Sequence, residues 1–203
     1  MMTFMLHRLP RPLAPLLFLA LLGACGSDDS AKRDANSLEN PQFSRSRNAE
    51  GQIVEHYDST GDGEPDVLKY YEESADADDP SLTRRRMVKL EIDANGDGSV
   101  NVRRVYDEYN NVRTEELDVD LDGSIDSILY YDGGKLTRKE LIDAESGRVS
   151  TTRHYAEGTL LRVEKDQNAD DRIDYWEFYE EGILTRVGRD TTGDGQADTW
   201  QAR

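Results

Sequence analysis

Five copies of one acidic loop recur along this chain, and a recurrence of that kind restricts the fold more than any other feature of the sequence. The copies are DSTGDGEPD from Asp58 to Asp66, DANGDGSVN from Asp93 to Asn101, DVDLDGSID from Asp118 to Asp126, DQNADDRID from Asp166 to Asp174 and DTTGDGQAD from Asp190 to Asp198. Their starts are 35, 25, 48 and 24 residues apart, so the unit is about 24 residues. The 48-residue gap is two units, because DAESGRVS from Asp143 is a degenerate sixth copy without the later carboxylates. The 35-residue gap is one unit plus an insertion, EESADADDPSLTRRR, at 72–86, which reads as a solvated loop.

The repeat extends beyond the loops. A tyrosine returns as Tyr71, Tyr106, Tyr131, Tyr155 and Tyr179, and an arginine follows seven residues later as Arg113, Arg138, Arg162 and Arg186. Between each loop and its tyrosine lie short β-branched and aromatic segments such as IDSILYY and IDYWEFY, which suit strands. A Gly-containing turn and a second strand-like segment such as KLTRKELI follow, so each unit is a β-hairpin and the fold class is all-β, built from antiparallel hairpin repeats. Period two puts Leu68, Ile128, Trp176 and Trp200 with Tyr70, Tyr130 and Phe178 on one face and the recurring tyrosine on the other. Aromatics on both faces leave an extended meander, a solenoid and a propeller-like array all open. The last strand is expected to pair with its predecessor as a closing edge.

Within each loop, oxygen side chains fall at positions 1, 3, 5 and 9, with a turn residue at position 6 where the backbone must bend with positive φ. That spacing rings a hard cation, and calcium accepts six to eight oxygens in irregular geometry. No loop offers His or Cys, which zinc or copper would favour. The candidate ligands are Asp58, Thr60, Asp62 and Asp66; Asp93, Asn95, Asp97 and Asn101; Asp118, Asp120, Asp122 and Asp126; Asp166, Asn168, Asp170 and Asp174; and Asp190, Thr192, Asp194 and Asp198. The third and fourth loops are the best sites. Thr60, Thr192 and Asn101 stand where the others have a carboxylate or an amide ligand, so the first, second and fifth loops should bind more weakly. Asp171 replaces the position-6 glycine in the fourth. Aspartate and glycine also make good turns, but turns alone do not need mutually repelling carboxylates in so short a span.

These loops resemble EF-hands over their first six positions, although the bidentate glutamate at position 12 is replaced by Lys69, Arg104, Leu129 and Gln201, and only Glu177 conforms. With strands on both sides and an acidic position 9, they resemble more closely the calcium loops of FG-GAP repeats, and more loosely those of dockerins and thrombospondin type 3 repeats. The resemblance covers the loops and implies calcium in them.

The N-terminus carries an address. Arg8 and Arg11 precede an apolar run from Leu13 to Leu22, interrupted by Pro15, and Leu22-Gly23-Ala24-Cys25 closes it. The run is a secretory signal, too short to cross a bilayer. Its ending resembles the lipobox of bacterial lipoproteins, which implies removal of residues 1–24, a thioether-linked diacylglycerol on Cys25 and acylation of the new amino group. In that family Asp after the cysteine retains some members in the inner membrane; here Gly26 follows, which favours the outer membrane. Residues 26–50 are polar and read as a disordered tether, so the domain is expected to begin near Gly51.

Charge excludes further classes. With 42 Asp plus Glu against 25 Lys plus Arg and a single Cys, the chain does not read as a nucleic-acid binder, a disulfide scaffold or a zinc-cysteine domain. His56 and His154 sit in strand-like segments with no nucleophile motif beside them, and no catalytic residue is assigned. The expectation is a lipid-anchored, calcium-binding structural or interaction module of the cell envelope, with the membrane as one partner and an envelope protein or polysaccharide as another. The alternative is a surface carbohydrate binder using the tyrosine column with Trp176 and Trp200, against which stands plain cross-strand packing.

Overall fold

The computed structural model describes residues 43–203, and the signal segment, Cys25 and the tether up to residue 42 lie outside them. Thirteen strands follow one another: β1 (Phe43–Arg47), β2 (Ile53–Tyr57), β3 (Val67–Ala75), β4 (Thr83–Ile92), β5 (Val102–Tyr106), β6 (Val112–Leu117), β7 (Ser127–Asp132), β8 (Lys135–Ile142), β9 (Val149–Ala156), β10 (Thr159–Lys165), β11 (Tyr175–Glu180), β12 (Ile183–Arg189) and β13 (Thr199–Ala202). They form one antiparallel sheet in sequence order, without a crossover and without pairing between β13 and β1. The array is therefore an open meander rather than a closed propeller. Two expectations change. The sheet begins at Phe43, inside the segment read as tether, because alternating Arg45 and Arg47 pair with β2. The 72–86 insertion is chiefly a lengthened hairpin rather than a loop: its acidic half pairs with its basic half, Glu72 opposite Arg86 and Glu73 opposite Arg85, with Glu72 bound to Arg86 at 2.7 Å and Asp76 to Arg84.

Hairpin turns and bulges explain the repeat. Gly133-Gly134, Glu157-Gly158 and Glu181-Gly182 all have positive φ at both residues, the backbone a two-residue antiparallel turn needs. One residue of each returning strand is then left unpaired as a bulge: Val88, Arg113, Thr137, Leu161 and Thr185. Each bulge sits where the recurring tyrosine meets the return strand. Bulges increase local twist, so the tyrosine column marks where every hairpin bends in the same way.

Directly opposed residues share a face, and the registers trace rows across the sheet. On the front face, Leu68, Glu91, Arg103, Glu116, Ile128, Glu140, Thr152, Glu164, Trp176, Gly188 and Trp200 form one row. Beside it Tyr70, Tyr130 and Phe178 face Lys89, Arg138 and Arg186, whose charges lie 3.7, 3.8 and 4.7 Å from the ring centres. Tyr70 and Tyr130 also donate to Glu91 and Glu140. In the last hairpin the tyrosine is Phe178 and the glutamate is Gly188, so donor and acceptor disappear together. The recurring tyrosines occupy the back face, as period two requires.

No second layer covers either face among the described residues, and the buried hydrophobic side chains are confined to Ile53, Val54, Val88, Val163 and Val187. Charged networks occupy the interior of the rows. Glu55 is only 5% exposed and accepts from Arg45 at 2.8 Å, Arg85 at 2.6 Å and Tyr57 at 2.9 Å. Burial pushes its carboxyl up, but the hydrogen bonds from Arg85, Arg45 and Tyr57 outweigh it and hold the group down at about 2, against an ordinary 4.5. A depressed carboxyl contributes stability that is present above its unfolded value and lost as pH falls through the folded one. Melting temperature should therefore drop between about pH 4.5 and pH 2. Glu55→Gln should remove part of that drop and cost ~1–2 kcal/mol at neutral pH, read by thermal melting across a pH series.

The front row ends in a close approach. A Cβ added at Gly188 would lie 2.6 Å from the Trp200 ring, which also packs 5.7 Å from Phe178 and carries the Arg186 guanidinium 4.4 Å from its centre. Gly188→Ala should drive Trp200 off this site, red-shift its fluorescence and cost about 1 kcal/mol in aromatic and cation–π contact.

Candidate metal centre

A strict meander places alternate connections at the same end of the sheet. All five acidic loops, and the degenerate loop at 143–148, therefore lie along one edge, each two strands or ~9.6 Å from the next. Backbone bonds chain them together. Within each loop the amide at position 9 donates to the carbonyl just before position 1, as Asp66 does to Tyr57 at 2.9 Å and Asp126 to Leu117 at 2.8 Å. Between loops the position-9 carbonyl accepts from the next strand end: Asp93 donates to Asp66, Asp118 to Asn101 and Asp190 to Asp174.

Inside the loops the same bonds recur. The first aspartate accepts the position-6 amide in every copy: Gly63 to Asp58, Gly98 to Asp93, Gly123 to Asp118, Asp171 to Asp166 and Gly195 to Asp190. The ninth residue accepts the position-2 amide, from Ser59 to Asp66 at 2.5 Å through Thr191 to Asp198 at 2.7 Å, with Asn101 Oδ1 serving the second loop. Position 5 accepts from position 7, as Asp62, Asp97, Asp122, Asp170 and Asp194 all do. Each ionised carboxylate offers about four lone-pair sites, so these amide bonds leave capacity for a cation.

Two positions per loop, not one, have left-handed backbone. Position 6 was legible from its glycine; position 4 was not, and it holds Gly61, Gly96, Leu121, Ala169 and Gly193 with φ between 59 and 81°. Asp171 takes the position-6 bend at φ 68° despite its side chain, so the bend survives there.

The third loop gathers ligands best. Oxygens of Asp118, Asp120 and Asp126 lie within 4.8 Å of one another, a set able to hold a metal ion and the only such acidic group among the described residues. Asp118 is 4% exposed and also accepts from Asn101 Nδ2 at 2.9 Å, which ties the second loop to the third. Burial pushes the Asp118 carboxyl up, but bonds from Asn101, Gly123, Leu121 and Asp122 outweigh it and keep the group below its usual range. Among the described residues nothing donates a hydrogen bond to the exposed Asp120 carboxylate, the position of a ligand free to turn towards a cation. Asp122 instead serves Ser124 at 2.8 Å.

The other candidates are dispersed. In the fourth loop Asn168 and Asp170 bond to each other, and Asp166 and Asp174 do not join them in a three-carboxylate cluster, so this loop does not match the third as the spacing suggested. One feature of it still favours a cation: Asp174 Oδ1 is inaccessible to solvent and has no hydrogen-bond partner among the described residues. Asn95 bonds to Asp97, while Thr60 and Thr192 lean on Asp58 and Asp190 at 3.4 and 3.3 Å. Every donor is a hard oxygen.

The tryptophans of the carbohydrate alternative do not form one surface with the tyrosine column. Trp176 and Trp200 are on the front face, the tyrosines on the back, and Trp200 packs on Gly188. His56 meets Ser46 at 3.0 Å and His154 meets Glu164 at 2.8 Å, both within the sheet.

No known protein family matches the sequence, and no curated protein is similar to it. Among solved structures the chain is similar to part of the crystal structure of accessory secretory protein 1, 2 and 3 in Streptococcus pneumoniae. The TM-score is 0.33 and the identity 11%, covering 66% of this chain and 21% of that one.

The strain at position 4 is testable. Leu121 holds φ 63°, a conformation that glycine adopts without penalty. Leu121→Gly should raise stability by ~0.5–1 kcal/mol, read as a higher melting temperature in chelator.

Proposed function

We propose that this chain is a lipid-anchored protein of the bacterial cell envelope, in which calcium along the acidic edge stiffens an open sheet that acts as a structural or interaction module. The carboxylate group of Asp118, Asp120 and Asp126 carries the reading, because three acidic oxygens within 4.8 Å repel one another unless a cation lies among them. Calcium fits a donor set of carboxylate and carbonyl oxygens in irregular loops, where magnesium would demand a tighter octahedron. The inaccessible Asp174 Oδ1, without a hydrogen-bond partner among the described residues, supports a second such position in the fourth loop.

The role of the ion follows from the edge. Sixteen aspartates crowd the five loops, and five divalent ions would neutralise ten charges. Binding only to the folded loops turns binding energy into folding energy. Affinity in the range of extracellular modules, on the order of 10⁻⁴ to 10⁻³ M, suits a structural ion. Anchoring rests on the Cys25 lipobox, with Gly26 favouring the outer membrane, and several acyl chains at ~0.8 kcal/mol per buried CH₂ would hold the protein at the bilayer.

Melting of the full chain in about 10 mM calcium, in magnesium and in chelator tests this. At 100 times Kd one site contributes ~2.7 kcal/mol, a shift of several degrees selective for calcium. Asp120→Ala should raise melting in chelator slightly, because it relieves the repulsion and removes no bond within the loop, and should shrink the calcium increment. Equal melting in all three buffers would overturn the calcium reading.

A further inference from the structure

The back face carries a charge opposite to that of the chain. Against a formal charge of −17, its rows hold more Arg and Lys than Glu. The glutamates in the central row are already engaged. Glu115 takes Arg104 at 2.6 Å and Tyr131 at 3.1 Å; Glu177 takes Lys165 at 3.0 Å and Tyr179 at 2.7 Å. Lys139 and Arg153 are left over. They stand directly opposite each other on β8 and β9, flanked in the same row by Leu129 and Val163, and neither has an ion pair or side-chain hydrogen bond among the described residues. Like charges directly opposed in a sheet are destabilising. An anion lying across both would reverse that cost.

Next to this pair runs the tyrosine row. Tyr131, Tyr155 and Tyr179 occupy every second strand, so their rings recur at ~9.6 Å, about the length of a disaccharide in an extended β-linked glycan. The hydroxyls of Tyr131 and Tyr179 are tied to Glu115 and Glu177, which anchors these two rings to the neighbouring row of the back face. Pinned, half-buried rings beside free cations suit a polymer that alternates apolar sugar faces with carboxylates. A sheet twists, which matches a linear ligand better than a flat bilayer.

We propose that the back face binds an extended acidic polysaccharide of the uronic-acid class, with Lys139 and Arg153 holding its carboxylates and the Tyr131, Tyr155 and Tyr179 row stacking on its rings. This names a partner for the envelope module and rests on that reading for its setting, but it uses a different face from the calcium edge.

Binding of the purified full chain to hyaluronan is the test, with dextran, phosphatidylglycerol vesicles and an oligo-dT strand as comparisons. Hyaluronan should bind and weaken with salt, dextran should not bind, and K139Q/R153Q, both on the surface of the sheet, should bind at least tenfold more weakly with an unchanged circular dichroism spectrum. Tyr155→Ala should weaken binding without changing its salt dependence. Absent binding, equal binding by K139Q/R153Q, or tighter binding to vesicles or oligonucleotide than to hyaluronan would overturn the proposal. Calcium-dependent melting is measured on the same samples, so failure of the edge reading and failure of this one are separately visible.

Discussion

Cross-strand pairing between side chains is the interaction on which everything else in this molecule depends. Among the described residues the sheet is a single layer with nothing to pack against, so the usual main source of stability, burial of apolar area between layers, is reduced to four valines and Ile53. What remains are pairs, each contributing roughly 0.2–1 kcal/mol and numerous only because the sheet is long. Lys89 on Tyr70, Arg138 on Tyr130 and Arg186 on Phe178 are one such unit repeated, and the glutamates at 91 and 140 complete it where a hydroxyl is available. Ion pairs with both partners exposed, such as Arg148 with Asp171, are individually weak. The buried carboxylates Glu55, Glu91 and Glu115 are different, since loss of their partners would leave a charge in a dehydrated row.

The acidic edge follows from the same topology. Alternate connections of a meander fall at one end, so a repeated sequence loop becomes a repeated row in space without any long-range contact to arrange it. Backbone bonds from the ninth residue of one loop to the first of the next make neighbouring loops mechanically continuous. A cation held by Asp118, Asp120 and Asp126 would therefore stiffen more than its own loop, because Asn101 already joins Asp118 to the preceding one. Edge and faces differ in charge: the edge presents anionic loops, while the back face presents leftover cations and rings.

Repetition made much of this readable from residues alone. Loop spacing, the tyrosine column and Gly-containing turns placed the hairpins and assigned the faces, because period two and turn chemistry are local. The bulges at Val88, Arg113, Thr137, Leu161 and Thr185 left only an indirect trace in the tyrosine spacing. Leu121 and Ala169 at left-handed positions carried no signal, since neither residue type favours that backbone. The 72–86 segment read as a solvated loop because charge density suggested exposure; its strands are exposed, yet opposite charges on the two halves pair across the hairpin.

By itself the sequence determined the unit: a hairpin, its acidic loop and the hard-oxygen residue types at fixed positions in it, all set by short-range chemistry. Only the tertiary structure decided how units join. It selected an open sheet over a closed array, started that sheet at Phe43, brought three carboxylates together in the third loop but not the fourth, and set Lys139 against Arg153. Those outcomes depend on register and twist accumulated over many strands, where a shift of one residue exchanges the faces and a small change in loop backbone moves an oxygen out of reach.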